Sequence, residues 1–126
     1  MSTMFELNVD AHFAAAHLLR GYEGECGRIH GHTWKVTVTV AADMNGNIGI
    51  SMDFKEIAEK LDSVLALLDH RNLNDLEWFE ACNPTAENLA VFIYDRLHPE
   101  VVGPGIELRS VTVAESERYR VTYRRD

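Results

Sequence analysis

Two stretches of alternating apolar and polar residues near the start of the chain, two more near its end, and two runs at helical spacing between them predict an α+β fold. The element order is ββααββ, with two helices covering one face of a largely antiparallel sheet. The chain has 126 residues, enough for one hydrophobic core, so residues 1–126 are read as a single domain.

Phe5, Leu7, Val9, Ala11 and Phe13 alternate with Glu6, Asn8, Asp10 and His12, the period-2 signature of a strand with one buried face. Trp34, Val36, Val38 and Val40 alternate with Lys35, Thr37 and Thr39 in a second strand rich in β-branched residues. Three glycines within Gly21–Arg28 predict a loop between them. Asn45-Gly46-Asn47 is a turn signal. Phe54, Ile57, Ala58, Leu61, Val64, Leu65 and Leu68 then follow at spacings of three and four, an amphipathic helix that Ser51 or Asp53 can cap. Residues 69–83 have no regular pattern. Thr85 caps a second helix with Glu87 in its first turn, and Leu89, Phe92, Ile93 and Leu97 form its apolar stripe until His98-Pro99 stops it. Ile106 and Leu108, a phase slip at Arg109-Ser110 that reads as a bulge, then Val111 and Val113 make a third strand. Tyr119, Val121 and Tyr123 make a fourth.

Hydrophobic residues at 46% and charged residues at 25% are those of an ordinary globular protein. Twenty acidic against 12 basic residues give a net charge of −8, which argues against a nucleic-acid-binding surface. A small phosphorylated substrate is still allowed, because a local basic cluster suffices to hold one. No segment approaches the length of a membrane span, and Met1–Leu7 lacks the pattern of a secretory signal, so a cytoplasmic location is expected. Cys26 and Cys82 are the only cysteines and are read as free thiols.

His30-Gly31-His32 comes just before the second strand, and residues i and i+2 of an extended segment point to one side. Alone, the pair fits either two surface histidines or half of a metal site. His17, at the end of the Ala14-Ala15-Ala16-His17 stretch after the first strand, can supply a third nitrogen if the two strands are antiparallel neighbours. Three neutral imidazoles with an open fourth position are the ligand set of a catalytic zinc. Cys26 lies four residues before His30 in a glycine-bearing loop, and a nearby cation favours its thiolate. Asp69-His70 is either a polar helix end or a proton relay in which Asp orients His. Glu115, at the end of a strand, is either solvated or accepts two hydrogen bonds from an aminopyrimidine edge. Cys82 reads as a partly buried thiol without a role, and His12 as a surface or hydrogen-bonding histidine.

Ala15-Ala16-His17, Cys26-x3-His30-Gly31-His32, Met52-Asp53-Phe54, Leu68-Asp69-His70, Leu73-Asn74-Asp75, Asn83-Pro84-Thr85-x-Glu87 and Glu115 occur in one order over nearly the whole chain. In this the sequence resembles the 6-pyruvoyltetrahydropterin synthase / 6-carboxytetrahydropterin synthase family. The resemblance implies zinc held by His17, His30 and His32, Cys26 as catalytic base, Asp69 and His70 as its proton relay, and Glu115 anchoring the pterin. Glu87 and the backbone near Thr85 resemble further pterin contacts. It also implies the tunnelling fold, in which ββααββ subunits join their sheets into trimeric β-barrels and two barrels stack as a homohexamer with sites between subunits.

The three residues between Cys26 and His30 resemble the bacterial 6-carboxytetrahydropterin synthase branch, which serves queuosine and other 7-deazapurine pathways; pyruvoyl-type synthases usually have five. The implied substrate is a pterin triphosphate, 7,8-dihydroneopterin triphosphate, and the implied products are 6-carboxy-5,6,7,8-tetrahydropterin, acetaldehyde and triphosphate. A pyruvoyl-forming or side-chain-cleaving enzyme of the same family is the runner-up, and a non-catalytic zinc- or pterin-binding module is the alternative of another class. Ser116 follows Glu115 where family members often have Thr. Arg20, Arg28 and Lys35 lie near the motif in sequence, with no triphosphate role assigned.

Overall fold

The computed structural model describes residues 4–44 and 51–125. The turn expected at Asn45-Gly46-Asn47 lies outside the described residues. Strand β1 (Met4–His17) and strand β2 (His30–Asp43) pair antiparallel over their full length, from Met4 opposite Asp43 to His17 opposite His30. Both run further than their alternating cores, because the last turns of pattern are carried by alanine and histidine instead of large apolar residues. Helix α1 (Phe54–Leu65) follows, then a two-residue strand β3 (Arg71–Asn72), helix α2 (Ala86–Leu97), β4 (Ile106–Ala114) and β5 (Arg120–Tyr123).

The sheet order is β3-β1-β2-β4-β5, with only the β1–β3 pairing parallel. Four strands were expected and a fifth is present. Strand β3 carries no periodicity to read, since it adds just Arg71 and Asn72 beside Ala15 and Ala16. The stretch around it is fixed by 3-10 turns at Leu73–Asp75 and Glu77–Phe79, which bury Leu73 and Phe79, and by Asn74. The Asn74 side chain accepts from the Leu18 N–H at 2.9 Å and donates to the Leu18 carbonyl at 3.1 Å, so one amide replaces a strand partner. The predicted bulge is at Arg109, which has no partner between Leu108 opposite Val40 and Ser110 opposite Thr39.

Asp53, not Ser51, caps α1 by accepting from the Lys55 N–H at 2.9 Å. The helix ends at Leu65, earlier than its apolar pattern, and Leu68 enters the core from the tighter turns that follow. Thr85 caps α2 by accepting from the Asn88 N–H at 3.1 Å, a bond whose loss typically costs about 1 kcal/mol. Both helices pack on the face that carries Phe13 and Ala15 of β1, Trp34, Val36, Val38 and Val40 of β2, and Val111 and Val113 of β4. Ile57, Leu61, Leu89, Ile93 and Leu97 close this core from the helical side. The opposite face is a polar ladder in which Thr37 donates to Asp10 and Thr39 to Asn8, each at 2.6 Å.

Candidate metal centre and active site

His30, His32 and Trp34 follow one another at i+2 along β2, and His17 lies opposite His30 on β1, so all four share the helix-facing side of the sheet. At this end of the sheet the core's apolar side chains give way to imidazoles. His17 is 1% exposed, and its ring stands edge-on to Trp34, His30 and His32 at centroid separations of 4.9, 4.5 and 5.2 Å. One nitrogen from each histidine lies within 4.8 Å of the others.

Hydrogen bonding determines which nitrogens are available. His17 Nδ1 lies 2.7 Å from the carbonyl of Pro84, and His30 Nδ1 lies 2.7 Å from that of Arg28. A carbonyl only accepts, so both Nδ1 atoms carry the proton and both Nε2 atoms present a lone pair. His17 Nε2 and His32 Nε2 are buried without a hydrogen-bond partner. Two orphaned buried ring nitrogens in one cluster are costly unless something else satisfies them, and a cation does so when each presents its lone pair. Imidazoles that donate Nδ1–H to a carbonyl while offering Nε2 are the usual arrangement around a bound metal. The donor set therefore fits zinc.

Burial lowers the pKa of His17 below the ordinary 6.5, with the Pro84 carbonyl opposing and His30 and His32 adding to the depression. Burial lowers that of His32 too, against the attraction of Glu115. Both are thus neutral, ligand-competent imidazoles at neutral pH. The unfolded chain takes up protons first as pH falls through 6.5, so the metal-free fold keeps this contribution above that pH and loses it as pH falls through the lower folded values. We expect the melting midpoint of metal-free protein to be nearly level from pH 8 to 7 and to fall below about pH 6.5. A midpoint that rises on acidification to pH 5 would contradict neutral histidines here.

Cys26 is exposed, in the middle of the 3-10 turn Glu25–Gly27. Its carbonyl accepts from the Leu19 N–H at 2.8 Å, which fastens this turn to the chain leaving β1. Gly27 is required because a Cβ there would meet the Tyr22 carbonyl oxygen at 2.3 Å, and Gly24 adopts φ +111°, unfavourable for any other residue. Cys26 is not one of the clustered ligand groups, and the side-chain partner of His70 among the described residues is Asp69, not Cys26. Cys82 is exposed, not partly buried as its sequence context suggested.

Asp69 and His70 do form a pair. His70 Nδ1 lies 2.9 Å from Asp69 Oδ2, and Asp69 Oδ1 accepts from the Ala14 N–H at 2.9 Å. The Ala14 N–H, together with His70, holds the Asp69 carboxyl below its usual range. The His70 backbone is left-handed at φ 58°, the one non-glycine residue so placed among the described residues. That conformation costs about 1–2 kcal/mol. It is retained by the His70 N–H donating to the Ala14 carbonyl at 2.6 Å, and it leaves the imidazole 82% exposed. His70 lines one shallow recess with His32, Thr33 and Arg71, a basic residue that sequence reasoning did not single out.

Glu115 follows β4 directly, its N–H bonded to the Tyr119 carbonyl at 3.1 Å and its carboxylate 3.9 Å from His32 Nε2, too far for a hydrogen bond. Glu115 and Glu87 line one cleft of about 400 Å³ with Tyr119 and Arg120. Thr85 sits beside Glu87, but its hydroxyl is engaged as the α2 cap. Two of the basic residues near the motif are already occupied: Arg20 donates to the carbonyls of Phe79 and Cys82, and Lys35 pairs with Asp10 at 3.4 Å on the far face of the sheet. The Pro84 carbonyl was also missed by sequence reasoning. Its only signal was the position of Pro84 just ahead of the Thr85 cap.

Residues 6–126 match a family model described as 6-pyruvoyl tetrahydropterin synthase. A 6-carboxy-5,6,7,8-tetrahydropterin synthase of Bacillus subtilis is 42% identical over 98 residues, which cover 74% of this chain and 65% of that protein. A dihydroneopterin monophosphate aldolase of Pyrococcus furiosus is 34% identical over 111 residues, 88% of this chain and 90% of the relative. Among solved structures, the Caenorhabditis elegans 6-pyruvoyl tetrahydropterin synthase superposes with a TM-score of 0.88 at 25% identity, covering 99% of this chain and 98% of that one. No helix among the described residues is long and apolar enough to cross a membrane.

Proposed function

Because the chain belongs to the 6-pyruvoyl tetrahydropterin synthase family, we propose that it is a zinc-dependent 6-carboxy-5,6,7,8-tetrahydropterin synthase. It converts 7,8-dihydroneopterin triphosphate and water to 6-carboxytetrahydropterin, releasing acetaldehyde and triphosphate, in the cytoplasm and on the route to queuosine and other 7-deazapurines. The observation that carries the metal-dependent reading is the pair of buried, partnerless Nε2 atoms of His17 and His32, with His30 completing the set. The three-residue spacing from Cys26 to His30 and the likeness to the Bacillus subtilis protein support the carboxy branch.

Zinc held by His17, His30 and His32 would supply a Lewis acid beside the substrate's side-chain oxygens and a charge that favours the Cys26 thiolate. Cys26 removes a carbon-bound proton from the substrate side chain, a task that suits an exposed thiol on a rigid turn. His70, oriented by Asp69, returns protons through its solvent-facing Nε2. Glu115 accepts hydrogen bonds from the amino edge of the pterin, Glu87 in the same cleft makes a further contact, and the backbone at Thr85, next to Ala86 of that cleft, makes another. With water taken up, triphosphate expelled and the side-chain carbon–carbon bond broken to release acetaldehyde, proton transfers redistribute oxidation level between ring and side chain, so no redox cofactor is needed.

The assembly we propose is a homohexamer of two stacked trimeric barrels. Among the described residues, strand β1 pairs with β3 only at Ala15 and Ala16, which leaves much of its outer edge open, and β5 is a short edge at the other side of the sheet. Joining such edges between subunits removes them from solvent and can bring Cys26 of one subunit toward His70 of the next.

A second reading has its own support. The Pyrococcus furiosus aldolase aligns over more of this chain than the Bacillus subtilis synthase does, so cleavage to a hydroxymethyl pterin is the competing outcome. Mass spectrometry of the products formed from 7,8-dihydroneopterin triphosphate by zinc-loaded protein decides between them. Carboxytetrahydropterin with acetaldehyde is expected. A hydroxymethyl or pyruvoyl product would overturn the branch, and no product would favour a binding module.

A further inference from the structure

The His17 ring is held by the Pro84 carbonyl, and a carbonyl is only as well placed as the backbone that carries it. Proline has no N–H to anchor itself, so the residues on either side set its position. Thr85, on one side, is fixed as the α2 cap. Asn83, on the other, spends its whole side-chain amide on the backbone of Arg20. Its Oδ1 accepts from the Arg20 N–H at 2.9 Å, and its Nδ2 donates to the Arg20 carbonyl at 3.0 Å. The Asn83 carbonyl in turn accepts from the Thr85 N–H at 2.9 Å and from Asn88 Nδ2 at 2.8 Å. Arg20 lies three residues beyond His17. The contacts therefore close a loop, from His17 along the chain to Arg20, across to Asn83, on to Pro84 and back to His17 Nδ1.

We propose that Asn83 is a positioning residue of the metal centre, acting through the Pro84 carbonyl on the orientation and tautomer of His17. The inference rests on the reading that His17, His30 and His32 hold a metal. The amide is suited to the task because Arg20 presents one donor and one acceptor to it, and Asn meets both with one planar group. Aspartate in its place keeps the acceptor but turns an oxygen toward the Arg20 carbonyl.

The test compares wild-type protein with Asn83→Ala and Asn83→Asp, using Arg125→Ala as a control far from the cluster, where Arg125 stacks on Tyr94 and Tyr123. Two quantities are read: Zn²⁺ affinity by chelator competition, and the visible absorption of the Co²⁺-loaded protein, which reports ligand geometry. For Asn83→Ala the affinity should fall about 10- to 100-fold with an altered Co²⁺ spectrum, as for loss of other groups that orient metal ligands. Asn83→Asp should fall between Ala and wild type, and it serves if the alanine variant does not fold. Arg125→Ala should stay within about twofold of wild type, as expected of a distant, independent site. Wild-type affinity and spectrum in both Asn83 variants would overturn the positioning role. Equal losses in Asn83→Ala and Arg125→Ala would overturn it as well, by assigning the effect to general stability. If wild-type protein binds neither Zn²⁺ nor Co²⁺, the metal reading itself fails.

Discussion

Cys26→Ala is expected to lower turnover of 7,8-dihydroneopterin triphosphate by about 10²- to 10⁴-fold, the range lost when a positioned acid or base is removed. Zinc content should not change, because Cys26 is outside the cluster of His17, His30 and His32. Folding should not change either. The side chain is exposed, and what ties the turn down is the Cys26 carbonyl on the Leu19 N–H together with the fit of Gly27 under Tyr22, all of which survive the substitution. Cys26→Ser sharpens the test. A serine hydroxyl fills the same space but stays protonated at neutral pH, so it should be nearly as inactive as alanine if the group works as a base. The measurement is kcat with metal content determined on the same sample, and unchanged kcat in both variants would remove Cys26 from the catalytic set.

His32→Ala is expected to remove stoichiometric zinc at micromolar metal, with affinity falling more than the roughly 100-fold that orienting groups command. His32 is a better test than His17. Removing the latter would also strip the Pro84 carbonyl of its donor and open a void beside Trp34. In metal-free protein His32→Ala should be close to neutral. The imidazole packs against Trp34 but also buries an unsatisfied Nε2, and a buried orphan of this kind costs about 1–3 kcal/mol. Zinc should therefore raise the melting midpoint of wild-type protein and leave that of the variant unchanged, since only a ligand that binds the folded state stabilises it. Equal zinc-induced shifts in the two proteins would take His32 off the ligand list.

Much of this was legible in the sequence because the relevant patterns are long or dense. Period-2 alternation through Phe5–Phe13 and Trp34–Val40 gave both central strands, and the phase slip at Arg109 located the bulge. His30 and His32 read as neighbours because strand parity requires it. His17 could join them only if the two strands were antiparallel neighbours; they are, and the register sets it opposite His30. Strand β3 was not legible, since two residues have no period, and what fixes the segment around it is the side chain of Asn74 standing in for a strand. The left-handed His70 was equally hidden: nothing in Leu68-Asp69-His70 marks a backbone strain that only the Ala14 carbonyl and N–H make tolerable. Pro84 was visible as a helix-boundary residue, but its role as acceptor for a histidine 67 positions earlier depends on long-range packing that no local pattern encodes.

Trp34 has no exposed surface and touches both His17 and His32 edge-on, whereas the other tryptophan, Trp78, packs far along the chain against Phe92. An indole in contact with imidazoles is a fluorophore whose emission depends on their protonation and ligation, since imidazolium quenches and a neutral ring much less. Trp34 is thus placed to act as an optical probe of the histidine cluster. Adding zinc to metal-free protein, or acidifying it, is therefore expected to change the emission of this fully desolvated ring, which would let site occupancy be followed in real time without a label or a substrate.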